Sequence, residues 1–229
     1  MADHPNESRT ARAAQAERTA FTERAILDAA EVVFARRGLA GTRVREIAQA
    51  AGMNGATLYN YYPSKSALYE AVLERGMKPL IAQLERYAAG PHELESTRAL
   101  IAEVMRHLAE HPNLSRLVYL EAMAEGDHLT SLARKWFRPL MVRIVGELKG
   151  GAMPAALEER LLPLVAALFI HVSFGHFALA PLVREVFDVD PLSDAGVERQ
   201  IRFIDALILQ MFPQIAREGD EDDEEDVAE

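Results

Sequence analysis

The chain has 229 residues, 49% of them hydrophobic, a net charge of −10 and no cysteine. That length and composition support a real core in one large or two small domains. The lack of cysteine excludes disulfides, thiolate metal sites and cysteine nucleophiles, and it fits a reducing cytoplasm.

The acidity is not spread evenly. Residues 1–75 carry ten Lys/Arg against nine Asp/Glu, residues 76–216 carry 14 against 17, and residues 217–229 carry one against nine. The final run, "REGDEDDEEDVAE", is too charged and too poor in apolar residues to fold. It reads as a disordered acidic tail that either solubilises the protein or competes with phosphate. Only the first segment is not repelled by a polyanion.

From the N-terminus, residues 1–20 are polar and lack periodicity, as in a mobile arm, and they contain no apolar segment of the secretory type. Ile26, Ala30, Val33 and Phe34 then recur at helical spacing. A first helix is expected from an N-cap at Thr22 to Arg37, with Gly38 stopping it. Thr42 caps a short second helix that ends at Gly52, and Asn54 caps a third that ends at Pro63. Ser64 opens a fourth, which Gly76 and Pro79 kink or split. Further helices are expected near 93–110, 113–125, 128–149, 155–187 and 194–212. No stretch alternates as a strand does, so the fold class is all-α. The longest apolar run, Ala166 to Leu182, is broken by His171, Ser173 and His176 and falls short of the ~20 residues a membrane span needs. No membrane partner is expected.

Two short helices, Val44–Ala51 and Gly55–Tyr62, joined by "GMN", make a helix-turn-helix: Ala48 gives a small contact and Gly52 the tight turn. Ile47, Ala51, Met53 and Leu58 seal the interior. The turn Asn54-Gly55-Ala56-Thr57 offers free backbone N–H groups to phosphate. Thr57, Asn60 and Tyr61 share one side of the third helix, and Tyr59 lies one step round. Tyr59 and Tyr61 either meet phosphates and base edges or pack on neighbouring helices, whereas Tyr62 reads as core.

The run "TERAILDAAEVVFARRGLAGTRVREIAQAAGMNGATLYNYYPSKSALYEAVLE" resembles the DNA-binding domain of tetracycline-repressor-type (TetR) regulators, above all in "GTRVREIAQAAG", "TLYNYYPSK" and "ALYEAV". The resemblance implies a DNA-binding domain over 21–75 and a divergent ligand-binding and dimerising helical domain over 76–216. It implies a homodimer on a double-stranded DNA operator, released by an unknown small-molecule effector, and no cofactor. It assigns Thr42 and Arg43 to phosphate, Arg45 to a base edge, and Thr57, Tyr59, Tyr61 and Lys65 to phosphates or bases. Asn60 would read adenine. Gly55 and Ala56 depart from the longer polar residues of many relatives, so they permit close approach but read little, with Ala56 near a thymine methyl. Arg45, DNA shape and the arm residues Arg9, Arg12 and Arg18 then carry specificity, unless those arm arginines are plain solvated charges.

One helix-turn-helix reads few base pairs, so a dimer is expected through the last two long helices. Leu161, Leu164, Val165, Leu168, Phe169 and Val172 form one apolar face; Val197, Ile201, Ile204, Ile208 and Met211 form another, widened by Phe203 and Leu207. Both faces also suit a monomeric core. Met105, Tyr119, Met123, Trp136, Phe137, Met141, Phe174 and Phe177 suit an adaptable pocket for a largely apolar effector, and each equally suits an ordinary core. His107 and His111 have a chelating spacing but no third ligand, and His111 sits where a helix dipole favours a cation. No metal site is expected.

Three functions fit. The first is a ligand-responsive repressor, with coupling through the fourth helix. The second is an activator of the same fold. The third is an all-α enzyme with an N-terminal docking module, although no phosphate loop, nucleophile elbow or HExxH is present.

Overall fold

The computed structural model describes residues 5–90, 94–124, 130–131, 133–139, 142 and 162–211. Every regular element among them is helical. The elements are α1 (Pro5–Gly41), α2 (Val44–Ala50), α3 (Gly55–Tyr59), α4 (Lys65–Ala88), α5 (Leu94–Glu110), α6 (Pro112–Ala124), a π-helical stretch at Ala133–Phe137, α7 (Leu162–Ala178), α8 (Ala180–Phe187) and α9 (Asp194–Met211). The acidic tail and most of the expected helix near 128–149 lie outside the described residues. The chain divides into two compact units at Arg75 and Gly76.

In the first unit, helicity begins at Pro5, well before the expected start at Thr22. The run "RTARAAQAER" is rich in Ala, Arg, Gln and Glu, the best helix formers, which explains helix without an apolar stripe. Thr22 is therefore no N-cap: its hydroxyl donates to the Arg18 carbonyl at 2.9 Å, as Thr19 does to Gln15 at 3.0 Å. Regular helix stops where expected, at Gly38, whose φ of 66° favours glycine. Ile26, Ala30 and Phe34 of α1 are buried with Ile47, Ala48, Leu58, Leu68, Tyr69 and Val72. Phe34 and Tyr69 meet edge to face at 5.0 Å. Each large side chain contributes about 1.5–3 kcal/mol on burial. Arg75 ties α4 to α1, with 2.6 Å bonds to both Asp28 and Glu31.

In the second unit, Ile101, Val104, Met105 and Leu108 give α5 one buried stripe, packed with Leu114, Leu117 and Val118 of α6 and with Phe174 and Phe177 of α7. Helix α4 is not split: Pro79 lies inside it. His107 Nε2 donates to the Gly76 carbonyl at 3.0 Å, adding a partner on the turn that Pro79 weakens. A Cβ on Gly76 would lie 2.7 Å from Leu114 Cδ1, so glycine is needed for that approach. The long helix expected over 155–187 is in fact two, because Pro181 supplies no N–H at the first turn of α8; α7 and α8 meet at a bend of 67°. No single helix among the described residues is long and apolar enough to cross a membrane, though this bent pair passes by length and composition.

The expected interface residues divide. Val197 and Ile204 of α9 face inward, on the helix that Arg98 of α5 ties at Asp205 with a 2.8 Å bond. They belong to the core because they lie on the α5 side of the helix. Leu164, Leu168 and Phe203 are exposed. Leu161 and the side chain of Val165 lie outside the described residues.

Candidate nucleic-acid interface

The turn between α2 and α3 is built as its sequence requires. Gly52 has φ 70°. The Met53 N–H closes on the Ala48 carbonyl at 2.9 Å. Asn54 caps α3, its Oδ1 accepting from the Thr57 N–H at 2.8 Å and from the Thr57 hydroxyl at 3.0 Å. Helix α3 is shorter than expected, ending at Tyr59 rather than Tyr62. Asn60 and Tyr61 follow in a tightened turn, their N–H groups reaching back three residues to Thr57 and Leu58. A five-residue helix carries little macrodipole, so phosphate attraction at its start rests mainly on the two amides without intrahelical partners, those of Gly55 and Ala56.

Arg43, Arg45, Ala56, Tyr59 and Asn60 are exposed, and Gly55, Thr57 and Tyr61 are half-buried. Tyr59 is 51% exposed. A Cβ on Gly55 would meet nothing within 4 Å, so internal packing does not require glycine there. Thr57 already donates its hydroxyl proton to Asn54. It can meet a phosphate by that route only after turning the hydroxyl away from its cap. Tyr62 is half-buried rather than core; burial, then Glu23, raises the pKa of its phenol, opposed by Arg75.

Two expected phosphate contacts are taken by the fold itself. Thr42 is 3% exposed, and its hydroxyl donates to the Gly38 carbonyl at 2.7 Å. Lys65 Nζ donates to the carbonyls of Leu39 at 2.7 Å, Thr42 at 3.0 Å and Ala40 at 3.5 Å. An ammonium has three protons, and all three have acceptors here. Lys65 thus staples the start of α4 to the segment between α1 and α2. Glu46, which the sequence reading passed over, accepts from Arg37 at 2.6 Å and from the Arg43 N–H at 3.3 Å. The three-residue spacing of Arg43 and Glu46 at a helix start was its available signal.

The expected pocket residues differ in burial. Met105, Phe174 and Phe177 are buried, Tyr119 and Phe137 are half-buried, and Met123 is 72% exposed near the end of α6. Met123 points away because the buried face of α6 runs through Leu114, Leu117, Val118 and Glu121. The Trp136 side chain and Met141 lie outside the described residues. The Tyr119 hydroxyl and His171 Nδ1 share a hydrogen bond at 3.0 Å. Among the described residues no cluster of three or more metal-ligating side chains occurs.

Residues 26–72 match the family model described as bacterial regulatory proteins of the tetR family, and residues 94–208 match the tetracyclin repressor-like C-terminal domain. The HTH-type transcriptional regulator RutR of Escherichia coli K12 is 27% identical over 193 residues, covering 82% of this chain and 89% of RutR. The HTH-type transcriptional repressor SCO4008 of Streptomyces coelicolor is 34% identical over 105 residues, 46% of this chain and 52% of that protein. The solved structure of SCO4942, also from Streptomyces coelicolor, aligns with a TM-score of 0.62 and 24% identity over 84% of this chain and 98% of that one. This last likeness concerns the fold.

Proposed function

Because the chain belongs to the tetR family of helix-turn-helix transcriptional regulators, we propose that it is a cytoplasmic, non-enzymatic repressor that a small molecule releases from its operator. The observation that carries the docking is the pairing of exposed Tyr59 with Gly55, a glycine that the protein's own packing does not need. A close-fitting duplex gives both a purpose. The backbone reaches phosphate at Gly55 and Ala56, the Tyr59 hydroxyl takes a flanking phosphate, and Ala56 meets a thymine methyl. Arg43 supplies positive charge at the start of α2. Arg45 reads guanine O6 and N7 with its planar fork, and Asn60 and Tyr61 reach adjoining edges.

Two copies are needed to read two half-sites. Exposed Leu164, Leu168 and Phe203 on α7 and α9 supply the apolar surface for that pairing, while Val197 and Ile204 stay in the core. Effector binding in the second unit acts on α4, which continues from the DNA-binding unit. Near-complete release needs a preference of several kcal/mol for the non-binding state.

The test is a titration of purified variants against the selected operator and a scrambled duplex. Tyr59→Phe should weaken both alike, and Arg45→Ala should weaken the operator more than the scrambled sequence. Unchanged affinity in both variants would remove this docking.

A further inference from the structure

The fold itself occupies several cations of the first unit. Arg75 is held by Asp28 and Glu31, and Lys65 by three carbonyls. Arg37, the residue before the helix stop at Gly38, is held on one edge only. Its Nη1 donates to Glu46 Oε1 at 2.6 Å, yet its side chain stays 57% exposed, against 31% for Arg75. A guanidinium carries five N–H donors in a rigid fork, so that one bond sets its direction and leaves further donors in water.

The carboxylate that holds Arg37 belongs to the face assigned to DNA. Glu46 stands in the first turn of α2, and its second oxygen accepts from the Arg43 N–H at 3.3 Å. A single carboxylate thus brings the Arg37 guanidinium beside the backbone of Arg43, where α1 and α2 pack together. An unpaired acid at that place would repel a polyanion, and Arg37 cancels its charge. Surface ion pairs add little stability, so the consequence of this one lies in where it fixes charge.

Resting on the regulator reading above, we infer that Arg37 is a further phosphate-binding residue and that Glu46 is its positioning residue. Glu46 takes one edge of the fork, and the donors left free meet a phosphate adjoining the one that Arg43 meets. Neither arginine reads a base by this contact, so it strengthens binding to every sequence alike. A lysine at 37 would keep the charge but lose the fixed direction, because an ammonium has no planar fork to hold.

The experiment titrates the full chain against the selected operator and a scrambled duplex over a range of salt. Its forms are the parent, Arg37→Gln, Arg37→Lys, Glu46→Gln and the double variant Arg37→Gln with Glu46→Gln. Glutamine at 46 keeps an acceptor for the Arg43 N–H, so the start of α2 stays capped. Arg37→Gln should weaken both duplexes and make the salt slope of the dimer shallower by about 1.8. That is roughly 30-fold in affinity at about 0.15 M salt, shrinking to little near 1 M. Arg37→Lys should restore the slope but only part of the affinity. Glu46→Gln should tighten binding in the Arg37→Gln protein, where it removes a bare acid, and should not tighten it in the parent. An unchanged slope in Arg37→Gln would overturn the phosphate contact. Equal tightening by Glu46→Gln in both backgrounds would overturn the positioning. If Arg43→Ala lowers the slope while Arg37→Gln does not, this inference alone fails; if the parent binds no duplex, the regulator reading fails and takes the inference with it.

Discussion

Replacing Lys65 separates a structural role from a DNA contact. In Lys65→Met the apolar stem remains and the ammonium goes, leaving the carbonyls of Leu39 and Thr42 without donors now at 2.7 and 3.0 Å. A hydrogen bond to a charged group is worth about 1.5–3 kcal/mol. Lys65 is only half-buried and water can replace part of the loss, so two short bonds together cost about 2 kcal/mol rather than twice the full value. That corresponds to about a 30-fold fall in hydrogen-exchange protection for core amides of the first unit that open by global unfolding. Ile47 and Leu58 are the amides to follow. The slope of duplex affinity against salt should stay as in the parent. A contact to phosphate predicts the opposite pattern, with protection intact and the slope reduced by about two in the dimer. That outcome would refute the staple.

Two further changes test the site and the bundle. Gly55→Ala should fold at least as well as the parent, since its Cβ meets open space and alanine is favoured by up to about 1 kcal/mol in a helix. Duplex affinity should nevertheless fall by about 1–3 kcal/mol in a filter or fluorescence titration, the scale of one close contact. For pH, burial lowers the pKa of both His107 and His176 from the ordinary 6.5, against the bonds they make to the Gly76 and Pro191 carbonyls. In His107 nearby His111 lowers it further and Glu110 opposes the shift. The unfolded chain then binds more protons than the folded one below that value. The stability held at neutral pH should decline as pH falls through 6.5 toward the lowered folded values, and His176→Gln should flatten this decline in urea titrations.

Much of this was legible because a few residues have narrow uses. Gly38 and Gly52 adopt positive φ, Asn54 caps α3, and the 101-104-105-108 spacing buries one face of α5. The errors arose where one residue type serves two ends. A lysine at a helix start opposes the dipole and invites a phosphate role, but the sequence does not show the three carbonyls that arrive from 23 to 26 residues away. Thr42 reads as a cap or a phosphate contact; its actual acceptor is set by the chain reversal at Gly38. Helix at residues 5–20 was missed because periodicity reports burial, and a solvated helix of good formers shows none. The break at Pro181 was written in the chain but masked by the apolar run around it.

The docking face is tested most directly by the salt dependence of full-chain binding to its selected duplex. With Arg43 exposed on each of two protomers, at least two phosphates are neutralised, so log affinity should fall against log salt with a slope of about −1.8 or steeper. Arg43→Ala should reduce the steepness by roughly two in the dimer. Binding that ignores salt, or a slope indifferent to Arg43, would contradict the assignment of this face to DNA.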